Sequence, residues 1–214
     1  DLLPLLKHRP EEFPYIVAEV SREGGDIRLE YVGRPGPASV QDVEGSTEDI
    51  RKLSGGTWGQ DKMQRRTEQT WRRNADEVAG QIDRIVDSSG ARLIVLAGDV
   101  RARGLVQEQL AEAHKPLVSM IDSEPRPEDS HQQVFQDRVL ERVALQWAAE
   151  QQEIMQAINQ LPATFKEVIL LHYYQGFGIA EIAEMMELPE GTISSRLSRG
   201  RKKLEIILKG GDAR

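Results

Sequence analysis

GFGIAEIAEMMELPEGTISSRLSRGRKKLEIIL, residues Gly176 to Leu208, is the stretch whose periodicity decides the architecture of the C-terminal half. Ile179, Ile182, Ala183 and Met186 recur at helical spacing. Leu188-Pro189 ends that helix, because proline has no backbone N–H to donate and restricts the residue before it. Pro189 then suits the first turn of a second helix, where its missing N–H costs little. Ile193, Leu197 and Leu204 form the inward stripe of this second helix, leaving Thr192, Ser194, Ser195, Arg196, Ser198 and Arg199 facing outward. Small polar residues near a helix start, followed by Arg196, Arg199, Arg201, Lys202 and Lys203, suit a helix laid in a DNA major groove. The same pattern describes a solvated basic helix beside a core, and the stretch alone leaves both readings open.

Upstream of this pair the chain remains helical. Val134 or Phe135, Val139, Val143, Trp147, Ile154, Ile158 and Leu161 recur at helical spacing, so residues 132–160 form one long helix or two with a break. Leu161-Pro162 ends it, and a further helix runs from Ala163 to Tyr174 until Gly176 stops it.

Residues 1–121 read differently. Leu2, Leu3, Leu5 and Leu6 suggest a short leading helix ended near Pro10. Tyr15 to Val20 is a strand, REGG (Arg22 to Gly25) a hairpin turn, and DIRLEYV (Asp26 to Val32) the returning strand. Val40 to Val43 is a third, weaker strand. A loop over Gly45 to Gln60 leads into a long helix, roughly Asp61 to Asp87, with Trp71, Ala75, Val78, Ile82 and Ile85 on its apolar face. ARLIVLA (Ala91 to Ala97) is a continuous apolar run consistent with a buried central strand. A helix from Val100 to Ala113 and a short strand near Pro116 to Val118 complete a sheet covered by helices. IDSEPRPEDSH (Ile121 to His131) has two prolines and several acids and reads as a linker. The expected organisation is α+β overall: an α/β domain over 1–121, a linker over 122–131, and an all-α domain over 132–214.

Composition narrows the chemistry. With 214 residues, either one large or two small domains are possible. The net charge of −7 confines any nucleic-acid contact to a local basic patch. The chain has no cysteine, which excludes disulfides, thiol nucleophiles and cysteine-ligated metal sites and fits a reducing cytoplasm. No apolar run approaches the roughly 18 residues that span a membrane, and no signal-peptide pattern follows Asp1. Neither a membrane, a metal nor a cofactor is expected. His8, His114, His131 and His172 show no ligand spacing. Asp122, Glu124, Glu128 and Asp129 read as a solvated acidic linker, and Trp71 and Trp147 as core residues of helical stripes.

LPATFKEVILLHYYQGFGIAEIAEMMELPEGTISSRLSRGRKKL (Leu161 to Leu204) resembles region four of bacterial RNA polymerase sigma factors, especially the extracytoplasmic-function type. Leu161-Pro162, Ile169-Leu170, Glu181-Ile182-Ala183, Gly191-Thr192-Ile193, Ser195-Arg196-Leu197 and Arg199-Gly200-Arg201 fall in that family's order. The resemblance implies a helix-turn-helix domain whose last helix reads the promoter −35 element in double-stranded DNA, and docking onto the flap of the polymerase β subunit. Carried across, the DNA contacts are Glu190, Gly191, Thr192, Ser194, Ser195, Arg196, Ser198 and Arg199, with Arg201, Lys202 and Lys203 adding phosphate attraction. Gly178 stands where the family often has a hydroxyl cap; glycine is a weaker N-cap. Nothing in the sequence resembles sigma region two, so a recognition module is expected, not a complete initiation factor.

A second basic feature is GGTWGQDKMQRRTEQTWRRNA, Gly55 to Ala75. Lys62, Arg65, Arg66, Arg72 and Arg73 crowd the start of a helix, where cations oppose the macrodipole. Phosphate or RNA binding explains them; a solvated surface helix explains them as well. Residues 1 to about 120 resemble the central domain of archaeal and eukaryotic class-1 peptide release factors, and more closely their actinobacterial relatives, through GGTWGQ, QRR…E…W…NA and ARLIVLAGDVRAR. The resemblance implies a ribonuclease H-like domain, a ribosome or tRNA partner, and hydrolysis of peptidyl-tRNA esters by a loop glutamine. By position the pair is Gly59 and Gln60, with Gly55 and Gly56 as hinges, but Trp58 stands where the release-factor Gly-Gly-Gln has its first glycine. Sequence-specific DNA binding without catalysis is therefore the first expectation and ester hydrolysis through Gln60 the alternative.

Overall fold

The computed structural model describes residues 13–46, 60–122 and 128–210, with the side chains of 60–65 and 128–131 outside that description. The leading helix expected near Leu2 to Leu6 and most of the expected 45–60 loop, including Gly55, Gly56, Trp58 and Gly59, lie outside the described residues.

The chain is a mixed α+β protein. Its strands are β1 (Pro14–Ser21), β2 (Gly24–Tyr31), β3 (Ser39–Glu44), β4 (Ile94–Gly98) and β5 (Val118–Met120). They form one five-stranded sheet in the order β3-β2-β1-β4-β5. β1 pairs antiparallel with β2, and β2 with β3. β1–β4 and β4–β5 are parallel, which requires crossovers. Two helices supply them: α1 (Gln60–Ser89) before β4, and α2 (Val100–Gln109) between β4 and β5.

Pairing of Ser21 with Gly24 leaves Arg22-Glu23 as a two-residue turn, as the REGG signal predicts. Alternation along β1 turns Ile16, Ala18 and Val20 toward Ala75, Val78, Ala79 and Ile82 of α1 and Ala102 and Val106 of α2. Tyr15, Val17, Val95 and Ala97 are buried on the other face, which explains why the β4 sequence is apolar throughout rather than alternating. At the end of β4, Gly98 has φ +99, and a Cβ there would lie 2.1 Å from the Val20 carbonyl oxygen, so only glycine fits.

Helix α2 stops at Gln109, short of the expected Ala113. Leu110 turns extended, and the next N–H, on Ala111, donates to the Asp83 carboxylate at 3.1 Å. His114 Nδ1 lies 2.6 Å from the same carboxylate. A side chain from α1 thus takes a backbone donor that would otherwise extend the helix. The stretch read as a linker is also tied down at its start. Ile121 is buried, and Asp122 receives Arg103 on its carboxylate at 2.7 Å and Arg138 on its carbonyl at 2.5 Å.

Helix α3 (Glu128–Asn159) is a single long helix, beginning inside the expected 122–131 linker. One compact unit ends at Ala144 and the other begins at Leu145, so the division falls within α3.

The C-terminal unit is helical. After α3 come α4 (Ala163–Ile169), a π-helical turn (Leu170–Tyr174), α5 (Ile179–Met185) and α6 (Glu190–Leu208). The expected Ala163–Tyr174 helix is therefore α-helical only for its first part. His172 sits in the π-turn and donates from Nδ1 to the Phe177 carbonyl at 2.8 Å, a packing role. Ile154, Ile158, Leu161, Val168 and Ile169 meet Ile182, Ala183, Ile193, Leu197 and Leu204 in one core. Each fully buried isoleucine or leucine contributes roughly 1.5–3 kcal/mol.

Between α5 and α6, Glu187 has φ 53, the left-handed region that glycine occupies without strain. The turn is closed by Leu188 N–H to Ala183 O at 2.9 Å. Glu187→Gly removes a Cβ penalty of roughly 1–2 kcal/mol, offset by roughly 0.5–1 kcal/mol of extra unfolded-state freedom. A urea titration should show the C-terminal unit more stable by about 0.5–1 kcal/mol; lower stability would mean that the glutamate side chain holds the turn.

Candidate nucleic-acid interface

Helix α6 is anchored by four buried positions, Ile193, Leu197, Gly200 and Leu204. Their spacing fixes which side chains face away from the core. Gly191, Ser194, Ser195 and Arg199 are exposed, and Ser198 is half-buried. Gly191, Ser194, Ser195 and Ser198 form a strip of small residues along the outward face. On the flanks, Thr192, Arg196 and Lys203 lie to one side and Glu190 and Arg201 to the other, with Arg199 and Lys202 outward. A small-residue strip with an arginine on either side allows close approach of a helix to a groove while the arginines reach its phosphate or base edges. All eleven residues that the resemblance carries to DNA, Glu190 to Lys203, lie on this one helix.

Pro189 is the residue before α6 and not its first helical residue; it makes no side-chain cap. The first turn therefore keeps its backbone N–H groups free of any side-chain acceptor from Pro189, and Glu190 supplies the acidic residue of that turn. At the start of α5, Gly178 N–H donates to Glu181 Oε2 at 2.7 Å, so the glutamate compensates for the missing hydroxyl cap.

Gly200 has a role that its sequence position hides. A Cβ there would lie 3.2 Å from Ile169 Cγ1 and 3.4 Å from Phe165 Cβ, so α4 and α6 approach closely at this point. Their contact fixes how α6 presents its outer face.

The second basic feature is only partly visible. Gln60 is the first residue of α1; the side chains of Gln60, Lys62 and Arg65, and all of Gly59, lie outside the described residues. Arg66, Arg72 and Arg73 are exposed, and Arg73 pairs with Glu77 at 3.4 Å. Trp71 is half-buried, not a core residue. The Arg22 guanidinium lies 4.6 Å from its ring centroid and Arg101 5.7 Å, while Arg22 Nε also reaches Asp99 at 3.2 Å. Neither arginine was legible as a neighbour of Trp71, since 49 and 30 residues separate them along the chain (71 − 22 and 101 − 71). Buried Asn74 holds the backbone of Ser46 and Arg22. Its Oδ1 accepts from Ser46 N–H at 2.9 Å, and its Nδ2 donates to Arg22 O at 2.9 Å and Ser46 O at 3.2 Å.

Asp99 caps α2, accepting from Arg101 N–H at 2.9 Å and Ala102 N–H at 3.0 Å. Burial pushes its pKa up, but the Ala102 N–H, the Arg22 guanidinium and the Arg101 N–H outweigh burial and hold it below the ordinary carboxylate value. A depressed folded-state pKa gives stability that is full above the unfolded value, 3.8, and is lost as pH falls through the folded one. Asp99→Ala should cost about 1 kcal/mol at neutral pH, with the gap to wild type closing in acid. Paired thermal melts from pH 7 to pH 3, the latter about one unit below the reference carboxylate pKa, measure this. A gap independent of pH would remove the carboxylate from the account.

Among the described residues, no group of three or more His, Asp or Glu is arranged to hold a metal ion, and no helix is long and apolar enough to cross a membrane.

Comparison with known proteins matches both features. The profile of the bacterial archaeo-eukaryotic release factor family 2 matches residues 14–162, extending beyond the expected boundary near residue 120. The profile of sigma-70, region 4, matches residues 151–204. ECF RNA polymerase sigma factor SigW of Bacillus subtilis (strain 168) is 34% identical over 79 residues, covering 37% of this chain and 42% of SigW. Uncharacterized proteins MT2704 and Rv2629 of Mycobacterium tuberculosis are each 27% identical over 126 residues, 58% of this chain and 33% of theirs. The chain thus spans less than half the length of these relatives. The crystal structure of archaeal translation termination factor aRF1 aligns with a TM-score of 0.40 and 14% identity, covering 82% of this chain and 47% of that one. The C-terminal segment is similar to sigma region four, and, with the release-factor profile covering more than half of its length, the chain belongs to bacterial archaeo-eukaryotic release factor family 2.

Proposed function

We propose that the C-terminal unit is a sequence-specific binder of double-stranded DNA, with α5 and α6 acting as a helix-turn-helix and α6 lying in the major groove of a promoter −35-like element. The observation that carries this reading is the outward face of α6: small residues at Gly191, Ser194, Ser195 and Ser198 between Arg196, Arg199 and Arg201. Similarity of residues 151–204 to sigma region four supports it. RNA polymerase, through its β-subunit flap, is the protein partner that this reading entails, and regulation of transcription in the cytoplasm its setting. Binding of the full chain to a panel of −35-type and scrambled duplexes tests it. Discrimination among duplexes is the expected result; equal affinity for all of them would remove promoter recognition.

A second activity is supported by the release-factor profile, most of whose match over residues 14–162 falls in the N-terminal unit. In this reading that unit is a ribonuclease H-like domain facing tRNA or the ribosome, with Arg66, Arg72 and Arg73 toward phosphates and the Gly59-Gln60 pair assisting water attack on a peptidyl-tRNA ester. Peptidyl-tRNA hydrolysis by wild type and Gln60→Ala separates catalysis from binding. Equal rates in the two proteins would exclude Gln60 chemistry.

A further inference from the structure

We infer that Arg22 and Arg101, held against Trp71, form a phosphate-binding site on the N-terminal unit, at the carboxyl ends of β1 and β4. The inference stands apart from the DNA-binding reading and requires no chemistry of Gln60. The chain leaves β1 through the Arg22-Glu23 turn toward β2, and leaves β4 through Asp99 and α2 toward β5. In open α/β sheets ligands bind beyond the carboxyl ends of neighbouring strands whose connections diverge. Both arginines are exposed there, with guanidinium carbons 4.6 and 5.7 Å from the Trp71 ring centroid. Arg66 and Arg73 belong to a different surface, since steps of five and two residues turn a helix about 140° and 160° away from Trp71.

Arg22 is restrained more than an exposed arginine requires. Its backbone lies in a two-residue turn, and its carbonyl accepts from Asn74 Nδ2 at 2.9 Å. Its Nε donates to Asp99 at 3.2 Å, and its guanidinium lies over Trp71. Asp99 is held in turn by the Arg101 and Ala102 N–H groups. Those amides are thereby spent, so the guanidiniums and not the start of α2 would meet an anion. A guanidinium over an aromatic ring engages its face and leaves its in-plane N–H groups for an acceptor. Among the described residues no acceptor meets the Nη groups of Arg22 or any part of the Arg101 guanidinium. Trp71 Nε1 is a further donor without an acceptor among them. Asp99 is the one carboxylate there that touches either guanidinium, which leaves positive charge in excess on a chain of net charge −7. Planar forks with unmet donors match phosphate oxygens, which accept paired, charge-assisted hydrogen bonds. Holding the forks in place beforehand lowers the ordering cost of binding.

A phosphate group reaches such a site on a small molecule or on an RNA strand. Isothermal titration of the full chain with inorganic phosphate, adenosine monophosphate and a short single-stranded RNA separates the two sources. Binding of phosphate or the mononucleotide assigns the site to small molecules; binding of RNA alone assigns it to a strand backbone. Arg22→Gln and Arg101→Gln should each weaken the bound probe by about tenfold or more. Arg22→Lys keeps the charge but not the planar fork, and should lose part of that affinity. Arg66→Gln removes the same charge from another side of α1, and should leave the small probes unaffected and weaken RNA less than either site variant. Circular dichroism confirms folding, and Arg101→Gln, which breaks no hydrogen bond of the Arg22 brace, decides the matter should Arg22→Gln not fold. Wild type that binds none of the probes would overturn the site, as would losses in Arg22→Gln and Arg101→Gln no larger than in Arg66→Gln. Either of those results leaves the DNA-binding reading intact.

Discussion

Arg196→Ala combined with Arg199→Ala is expected to weaken duplex binding by about 100-fold at fixed salt, taking about 1–3 kcal/mol for each guanidinium that pairs with a guanine edge. Arg199 is exposed and Arg196 half-buried on the flank of α6, and neither belongs to the core stripe of Ile193, Leu197 and Leu204. The double variant should therefore fold like wild type. If instead both residues touch only phosphates, all duplexes weaken alike and the slope of log K against log salt falls by about 0.9 for each phosphate no longer neutralised. Titrations at three salt concentrations separate the two modes. Affinity unchanged by the double substitution would remove α6 from the interface.

The second large effect lies behind the helix. Gly200→Leu is expected to destabilise the C-terminal unit by about 3 kcal/mol, because overpacking a close approach costs roughly 1–3 kcal/mol and the helix cannot move away without opening its core. Even a Cβ would approach Ile169 Cγ1 to 3.2 Å, and a leucine extends well beyond it. Gly200→Ala is expected to change stability by no more than about 1 kcal/mol, since roughly 1 kcal/mol of helix propensity offsets the tight packing. Urea titrations of both variants check the pair of values. Equal, small effects would show that α4 and α6 have room between them.

The sequence already displays what repeats locally. Ile182, Ala183, Ile193, Leu197 and Leu204 announce themselves by helical period, and all are buried together. The apolar run before Gly98 announces a strand covered on both faces. What escapes is set by partners distant along the chain. The end of α2 at Gln109 depends on Asp83 of α1 capturing Ala111 N–H. His114, a lone histidine in the sequence, faces that same carboxylate. Trp71 follows a helical stripe, yet Arg22 and Arg101 cover its ring and leave it half-buried. Gly200 reads as one more residue in a basic run, because its value is the side chain it lacks. On α6, Ser194, Ser195 and Arg199 are exposed as their opposition to the buried stripe predicts, whereas Thr192 and Arg196, expected outward, are half-buried on the flank. The bracing of the Ser46 backbone by Asn74 was not legible, as an asparagine in a helix carries no sign of the strand ends it will meet.

The claim that α6 is the DNA-binding element is tested most directly by photo-crosslinking. A photoreactive side chain is placed singly at Ser195 or Lys202 on the outer face of α6, and at Glu108 on α2 as a reference, in the full chain with a −35-type duplex. The account predicts crosslinks from Ser195 and Lys202 that an excess of unlabelled duplex abolishes, and none from Glu108. Duplex binding with no crosslink from either α6 position would contradict it.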